Sequence, residues 1–435
     1  MSKKTVPVVR LVDRDEAAEL PGLSEELRDA LSEVVGAARE GLLAMSVGIG
    51  LRVFVEMMDE ELTAKVGPKH AKLPGRTAGW HGTAPGSVVL GGRRVRVERP
   101  RARSTDGTEV GCDTYAAFAD DDLLTEVVME RMLAGLATRR HRVANEPVGA
   151  EVEATATSTS KSSVSRRFVA RTKQALEELM ARDLSELKVA ALMIDGVNFA
   201  EHCCVVVLAI CGDGTKVPVG LWLGDTENKT VVTNLLADLV GRGLSADGGL
   251  LVVIDGAKAL AAGVRRVFGD AALIQRCTLH KRRNVTDHLP KGERQWVDQR
   301  LARAFNHTDP AAGLRQAREL ARQLETRWPD AAASLREGLE EMFTVRRLGI
   351  SDRLARSLAS TNMIESMISV GRDTTRNVKR WRDGTMVKRW VAAGMVNAER
   401  SFRRLKGCND MPTLLAALRR HADTVTPTRD TEKVA

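Results

Sequence analysis

The chain has few aromatic residues and almost no tyrosine. Among 435 residues there is a single tyrosine, Tyr115, and aromatic residues make up 3% of the chain. A recombinase that forms a covalent tyrosine–DNA intermediate needs its nucleophile in a prepared site, and the surroundings of Tyr115 carry no such signal. None of the eight histidines forms a His-x-His pair of the kind a single-strand relaxase uses. Both of these classes are therefore disfavoured.

Long apolar runs and a regular cysteine framework are also missing. The longest apolar run, from Cys203 to Cys211, is far shorter than the roughly 20 residues that a membrane helix needs. Lys3 and Lys4 are followed by a mixed polar and charged stretch, so no signal peptide is expected. The six cysteines have no regular spacing, which favours reduced thiols in the cytosol. We expect a cytoplasmic protein without a membrane partner.

The positive charge of the chain is concentrated near its carboxyl end. Lys and Arg outnumber Asp and Glu by 66 to 57, which gives a formal charge of +9 and a pI near 9.4. Between Arg372 and Lys406 there are eleven basic and three acidic residues, a local excess of +8. The basicity is therefore localised, and it predicts a polyanionic partner.

The central part of the sequence predicts an α/β core. Three apolar runs are joined by connections too short for anything but hairpins, so they predict antiparallel strands. A helix, a strand, a second helix and a short strand follow. This order is typical of a ribonuclease-H-like fold. The predicted elements are, in order, strands 189–194, 203–210 and 217–223, helix 229–241, strand 250–254, helix 257–268 and strand 272–275.

The sequence predicts five consecutive segments, two of which form this core. Residues 1–184 form a mainly helical DNA-binding region, with a β-hairpin near 86–99 and a helix-turn-helix candidate near 122–180. The ribonuclease-H-like core occupies 185–288 and 359–410, interrupted by an all-α insertion at 289–358. Residues 411–435 form a C-terminal tail.

Two stretches of the N-terminal region carry candidate DNA contacts. Alternating Arg93, Arg96 and Arg99 on the hairpin are suited to a phosphate backbone, but arginines equally keep a strand edge soluble. Arg166 and Arg167, on the first turns of a predicted helix, fit the reading helix of a helix-turn-helix. Many helices begin with serine and carry arginine, so both interpretations remain open.

Three carboxylates are the strongest candidate site. Asp195 and Asp255 each follow a predicted buried strand, and Glu365 lies at the start of a predicted helix. Open α/β sheets bind ligands at the carboxyl ends of their strands. Carboxylate oxygens are the ligands that Mg²⁺ prefers, and a pair of such ions activates the attacking oxygen and stabilises the leaving oxygen at phosphorus. The sequence predicts two Mg²⁺ ions here, for which Mn²⁺ can substitute.

Each of these acids also has an ordinary structural explanation. Asp-Gly after a strand is common turn chemistry, and Glu365 stands three residues after Asn362, the spacing of a capping box. A repeated Ile-Asp-Gly ending, a separate glutamate and an adjoining basic strip are harder to explain together in that way.

The chain resembles the Mutator-type transposases of bacterial insertion sequences, which belong to the DDE class. The resemblance covers roughly residues 120 to 410, with its motifs in the family's order. The matching blocks are Ile194-Asp-Gly196, Gly224-Asp-Thr-Glu-Asn228, Ile254-Asp-Gly-Ala-Lys258, the run from Gln275 to Asn284, Ser360-Thr-Asn-Met-Ile-Glu-Ser366, and Thr375-Arg-Asn-Val-Lys-Arg-Trp381.

This resemblance implies that Asp195, Asp255 and Glu365 are the catalytic, metal-binding triad. It also implies cleavage at the terminal inverted repeats, strand transfer into target DNA, a homodimer that joins two ends, and a bacterial, nucleoid-associated location. Cys277 and His280 match a family signature, for which we expect a supporting role at the site. No second Cys/His pair has suitable spacing for structural zinc.

Basic residues next to these motifs are the remaining candidates for DNA contact. For the basic residues after the Cys/His signature, the alternative explanation is a charged helix surface. For the tryptophan after Glu365, the alternative explanation is core packing. The candidates are Lys281, Arg282 and Arg283 after the Cys/His signature, and Arg376, Lys379, Arg380 and Trp381 after Glu365.

Two other functions are compatible with parts of the sequence. A ribonuclease-H-like nuclease would hydrolyse DNA without joining it, and the helical insertion and N-terminal region disfavour this alternative. A catalytically silent DNA-binding regulator is disfavoured by the intact triad.

Overall fold

The computed structural model describes residues 42–71, 74–146, 148–199, 201–224 and 228–425. The predicted helical region before residue 42 and the centre of the Gly224–Asn228 motif lie outside these ranges. The chain divides into two compact units, Met1–Arg171 and Thr172–Ala435. This boundary falls within a helix, thirteen residues before the predicted one at 184. No helix in the described part of the chain has the length and hydrophobicity needed to cross a bilayer.

In its described residues, the first unit combines helices with one β-hairpin. Its elements are α1 (Leu42–Val66), β1 (Ala78–Leu90), β2 (Arg93–Ser104), α2 (Asp113–Ala119), α3 (Asp121–Leu133), α4 (Ala150–Thr155) and the first half of α5 (Lys161–Ala181). The strands are antiparallel, with Leu90 paired to Arg93. Gly91 and Gly92 form the turn at φ values of 54° and 80°, which glycine adopts without strain. The hairpin is thus present, and it is longer than the predicted 86–99.

The hairpin arginines do not form a continuous basic row. Arg93 is buried and bonded to Glu153. Arg99 lies 3.0 Å from Glu109 and stacks over the Tyr115 ring. Arg96 is exposed. Of the three side chains, only that of Arg96 is exposed. Because Arg93 is buried, the prediction that it lies along a phosphate backbone is wrong.

The helix-turn-helix candidate does not have the expected spacing. Helices α3 and α5 are separated by residues 134–160, which include a 3₁₀ turn at Thr138–Arg140 and the short helix α4. A helix-turn-helix joins its helices through about three to four residues. Arg166 is exposed on α5, whereas Arg167 is half-buried and contacts Thr125.

The second unit is built on a five-stranded mixed sheet. Its strands are β3 (Val189–Phe199), β4 (His202–Cys211), β5 (Lys216–Gly224), β6 (Leu250–Ile254) and β7 (Ala272–Arg276), in the order β5-β4-β3-β6-β7. The first three are antiparallel, and β6 and β7 are parallel to β3. Strand β3 continues five residues beyond the predicted end at Ile194, because its later part pairs with β4 alone.

Helices cover both faces of this sheet, and others pack in a separate cluster beside it. They are α6 (Lys229–Gly241), α7 (Lys258–Phe268), α8 (Thr278–Asp287), α9 (Lys291–Phe305), α10 (Pro310–Glu325), α11 (Pro329–Arg336), α12 (Thr344–Arg347), α13 (Asp352–Leu358), α14 (Asn362–Thr375), α15 (Gly384–Glu399) and α16 (Met411–Val425). Ile194 and Ile254 face α6 and α7. Met193 and Val253 face α14, α15 and α16. Because strand residues alternate in direction, one sheet supplies two separate cores.

Packing shifts two of the predicted boundaries. The helical cluster next to the sheet runs from Val285 to Phe343, whereas Val345 and Leu354 already pack into the sheet core. The insertion as a packing unit is therefore shorter than the predicted 289–358. The segment predicted as a tail begins with α16, whose Met411 and Leu418 are buried in the same core. That prediction is wrong for residues 411–425.

Candidate acidic active site

The two aspartates lie side by side on one face of the sheet. Ile194 of β3 and Ile254 of β6 are register partners, and neighbouring strands lie about 4.8 Å apart. Asp195 is the next residue of β3, and Asp255 directly follows the end of β6. Val206, the cross-strand partner of Asp195, belongs to the core beneath α14, and alternation places Asp255 on this face too. Asp195 lies within β3, not at its end as predicted, but it marks the point where parallel pairing stops.

The backbone holds both carboxylates in place. The Gly196 N–H donates to Asp195 Oδ1 at 2.9 Å, and the Ala257 N–H donates to Asp255 Oδ1 at 2.8 Å. Both aspartates are half-buried. Among the described residues, no hydrogen bond is formed by the second oxygen of either carboxylate. The turn after β6 thus orients the Asp255 carboxylate.

Glu365 reaches this site from the first turn of α14. The Thr361 hydroxyl, at the helix N-terminus, donates to Glu365 Oε1 at 2.7 Å. His280 Nε2 lies 3.7 Å from the same oxygen, and His280 Nδ1 lies 3.3 Å from the Thr361 hydroxyl. The capping-box pairing with Asn362 is not formed, because Asn362 is already the first helical residue. Instead, Glu365 contacts Thr361 and His280 at the site.

Cys277 joins α8 to the start of α14. Its backbone N–H donates to Ile254 O at 2.7 Å, and its buried thiol accepts from the Thr361 N–H at 3.4 Å. Thr278 bonds Ala359 O through both its N–H and its hydroxyl, at 3.0 Å each. The Cys277 and His280 pair therefore ties the end of the β6 strand to the helix that carries Glu365. Thr361 is a residue that sequence reasoning missed, although it lies inside a quoted motif.

The closeness of these groups shifts their pKa values. Burial and the charge of Asp255 raise the pKa of Asp195 to about 6, and Glu365 adds to this effect. The hydrogen bond with Cys277 and the charges of Glu365 and Asp195 raise the pKa of His280 to about 9. Burial alone would raise the pKa of the Cys277 thiol, but its bonds to His280 and Thr361 lower it. A cationic histidine thus partly balances a cluster of carboxylates.

The donor set fits a hard divalent cation. The close carboxylates oppose one another's ionisation, and a cation between them would remove that cost. Cys277 Sγ, His280 and a Glu365 oxygen also lie within 4.8 Å of one another. Their atoms, however, already bond to each other and to Thr361. The thiol and imidazole are thus engaged in orienting Glu365, and the carboxylate oxygens are the donors whose chemistry fits a cation.

The basic residues after the Cys/His signature differ in their surroundings. Lys281 is buried, donates to Ser334 O at 2.7 Å and lies near Glu337. The prediction that Lys281 binds phosphate is thus wrong, because its charge is used inside the fold. Arg282 is paired with Asp298 and half-buried. Arg283 is exposed, and it is the member of this group that is accessible to DNA.

The second group of basic residues lies in the irregular segment that joins α14 and α15. Arg376, Lys379 and Arg380 are exposed. Trp381 packs edge-on against Phe199 at the end of β3, with ring centroids 5.3 Å apart. Core packing therefore explains Trp381, and a stacking role on DNA is not supported. The three cations remain predicted DNA contacts.

The site is a carboxylate cluster with a histidine counter-charge, held where parallel strands end and covered by a helix. A sequence model of the family described as "Transposase, Mutator family" matches residues 34–404. The chain belongs to the Mutator family of transposases. Transposases act on DNA, so membership implies a DNA-processing enzyme.

Several transposases of insertion sequences are similar to the chain. The transposase for insertion sequence element ISRM5 of Rhizobium meliloti is 24% identical over 339 residues, 78% of this chain and 82% of that protein. The IS6120 transposase of Mycolicibacterium smegmatis is 28% identical over 46% of this chain and 62% of its own length. The IST2 transposase of Acidithiobacillus ferrooxidans is 27% identical over 41% of this chain and 58% of its own length.

Replacing Thr361 by valine tests its role in positioning Glu365. Valine keeps the volume but removes the hydroxyl that donates to Glu365 Oε1. A hydrogen bond to a charged group contributes about 1.5–3 kcal/mol, so we expect the cleavage rate to fall about 10- to 100-fold. Single-turnover kinetics at saturating protein measure this rate.

The matched control is Thr361→Ser, which keeps the hydroxyl and should retain most of the activity. The affinity for DNA should stay unchanged in both variants. A serine variant as slow as the valine variant would show that packing, and not the hydrogen bond, matters at this position.

Proposed function

We propose that the protein is a DDE transposase that binds the terminal inverted repeats of an insertion sequence and catalyses metal-dependent strand cleavage and strand transfer. The observation that carries this proposal is that Asp195 and Asp255 directly follow the register partners Ile194 and Ile254, with Glu365 and His280 close enough to shift the pKa of Asp195. We also propose a ribonuclease-H-like core, which the strand order β5-β4-β3-β6-β7 supports.

Asp195, Asp255 and Glu365 would hold Mg²⁺, two ions being expected and Mn²⁺ a substitute. When bound, the metal would polarise the phosphodiester and stabilise charge on the attacking and leaving oxygens. The protein's own residues prepare the site. Thr361 and His280 fix one oxygen of Glu365, and the turns after each strand fix one oxygen of each aspartate. Such preorganisation is what transition-state stabilisation requires.

Two phosphoryl transfers follow at one site. In the first, a water oxygen bonds to phosphorus, the P–O3′ bond breaks, and the element end is left with a 3′-hydroxyl. In the second, that 3′ oxygen bonds to a target phosphorus and displaces the target's 3′ oxygen, which takes up a proton. No bond to the protein is formed. Two ends must be brought together, and we therefore propose a homodimer on double-stranded DNA.

A labelled duplex that ends in the element's own inverted repeat tests this proposal. We expect nicking at the repeat end and joining to a second duplex with Mg²⁺, and neither with EDTA. Cleavage without joining would favour a nuclease. Specific binding without any metal-dependent cleavage would favour a regulator.

A further inference from the structure

A second basic surface lies beside α14, apart from the segment 376–382. It is a cleft of about 940 Å³ that no acidic residue lines. Hydroxyl and amide groups of α14 and its start, Ser360, Asn362 and Ser366, form one wall. Six cations also line the cleft: Lys216, Arg353, Arg356, Arg403, Arg404 and Lys406.

Three of these six cations have no ion-pair or cation–π partner among the described residues. Arg356 is paired with Asp352, and Arg404 lies 3.7 Å from Asp213. Within the described ranges, Arg353, Arg403 and Lys406 form no ion pair, and all three side chains are exposed. Lys216 is half-buried, with its ammonium 5.0 Å from the Phe402 ring. Concentrated cations without counter-charges raise the local potential and attract a polyanion.

The loop that carries Arg403 and Lys406 is held by the core. The Leu405 N–H donates to Gly214 O at 2.9 Å, and the Ser357 hydroxyl donates to Lys406 O at 3.0 Å. Gly407 has φ +89° and lies against the Leu354 backbone, where a Cβ would come within 2.8 Å. The cations are therefore displayed on a fixed backbone, which lowers the entropy lost on binding.

The cleft and the acidic site are on different faces of one helix. With about 100° per residue, Met363, Ser366 and Val370 lie roughly 100–160° around α14 from Glu365. A helix is about 10 Å wide. A phosphate in the cleft would thus be a few nucleotides from a phosphate at the acidic site.

We propose that this cleft binds the phosphodiester backbone of the DNA substrate a few nucleotides from the scissile position. The proposal rests on the proposed function, since it assigns the cleft to the same substrate. A planar arginine fork and a lysine suit phosphate oxygens, and the wall of hydroxyls adds neutral donors. The cleft would set the register of the DNA on the protein and would not read its sequence.

The test is the salt dependence of DNA binding in the double variant Arg403→Ala/Lys406→Ala. Each lost phosphate contact lowers the slope of log K against log salt by about 0.9. We expect a slope about 2 smaller in magnitude than for the wild type and binding about tenfold weaker or more. Arg315→Ala/Arg327→Ala is the matched control, because it removes two exposed arginines from the helical insertion. The control should keep the wild-type slope.

Phosphate-ethylation interference locates the contact. Wild-type protein should show a group of essential phosphates near the cleavage position, and the double variant should lose sensitivity at one or two of them. Ser366→Glu, an exposed substitution in the cleft wall, should weaken binding in the same way. An unchanged slope with an unchanged interference pattern would overturn the proposal. Displacement of DNA by micromolar pyrophosphate would also overturn the proposal, because it would show that the cleft binds a small anion.

Binding is measured in EDTA, so this test does not depend on catalysis. A wild-type protein that binds but does not cleave would count against the proposed function and leave the cleft assignment intact. Normal cleavage combined with an unchanged slope in the variant would count against the cleft alone.

Discussion

Asp255→Asn should cleave DNA at least about 1000-fold more slowly than the wild type and still bind it. The substitution keeps the shape of the side chain and its acceptor oxygen for the Ala257 N–H, but it removes one negative charge from the proposed cation site. Losing about 4 kcal/mol of transition-state stabilisation corresponds to a factor of about 1000. The measurement is the single-turnover rate on an inverted-repeat duplex with Mg²⁺, together with the dissociation constant in EDTA.

Asp247→Asn is the matched control for this variant. Asp247 is exposed and lies before β6 on the same chain, and its loss of charge should leave the rate unchanged. Activity of Asp255→Asn within tenfold of the wild type would contradict the assignment of Asp255 to the site. A joint loss of cleavage and DNA binding would instead indicate a damaged fold.

Asp195→Asn should make the protein more stable in the absence of metal. Burial and the neighbouring Asp255 raise the pKa of Asp195 from 3.8 to about 6, so the ionised form is disfavoured in the folded state. The free-energy cost of ionising Asp195 in the folded state is absent below about pH 4, grows between pH 4 and 6, and is fully present above pH 6. At about 1.36 kcal/mol per pH unit, removing it should stabilise the variant by about 3 kcal/mol at pH 7.5.

Thermal unfolding with EDTA measures this difference, which should be about 5–10 °C at pH 7.5 and close to zero at pH 4. Adding Mg²⁺ should raise the Tm of the wild type and have much less effect on the variant, because a cation stabilises only the state that binds it. A variant less stable than the wild type at pH 7.5 would show that Asp195 is not held under repulsion.

The surroundings of the triad show which parts of a site are visible in a sequence. Asp195, Asp255 and Glu365 were identifiable because each stands next to a local signal, an apolar strand or a helix start. Thr361 had no such signal, since its hydroxyl matters only where α14 meets α8. Lys281 and Arg283 are two residues apart and chemically alike, yet one is buried against Ser334 and the other is exposed.

The cleft beside α14 could not have been found from the sequence. Lys216, Arg353 and Arg403 are far apart along the chain, and the charge excess of residues 372–406 indicated a basic segment without its geometry. Packing of the 401–407 loop against Gly214 and Leu354 brings them together. The same kind of long-range packing turned the predicted tail into helix α16.

The sequence by itself determined the order of strands and helices in the core, the candidate triad and the family resemblance, because periodicity and short motifs are local properties of the chain. Tertiary structure decided which cations face solvent, where β3 ends, and how Cys277, His280 and Thr361 orient Glu365. These outcomes depend on contacts between segments that are distant in sequence. Such contacts form only when the chain folds, and they override local propensities.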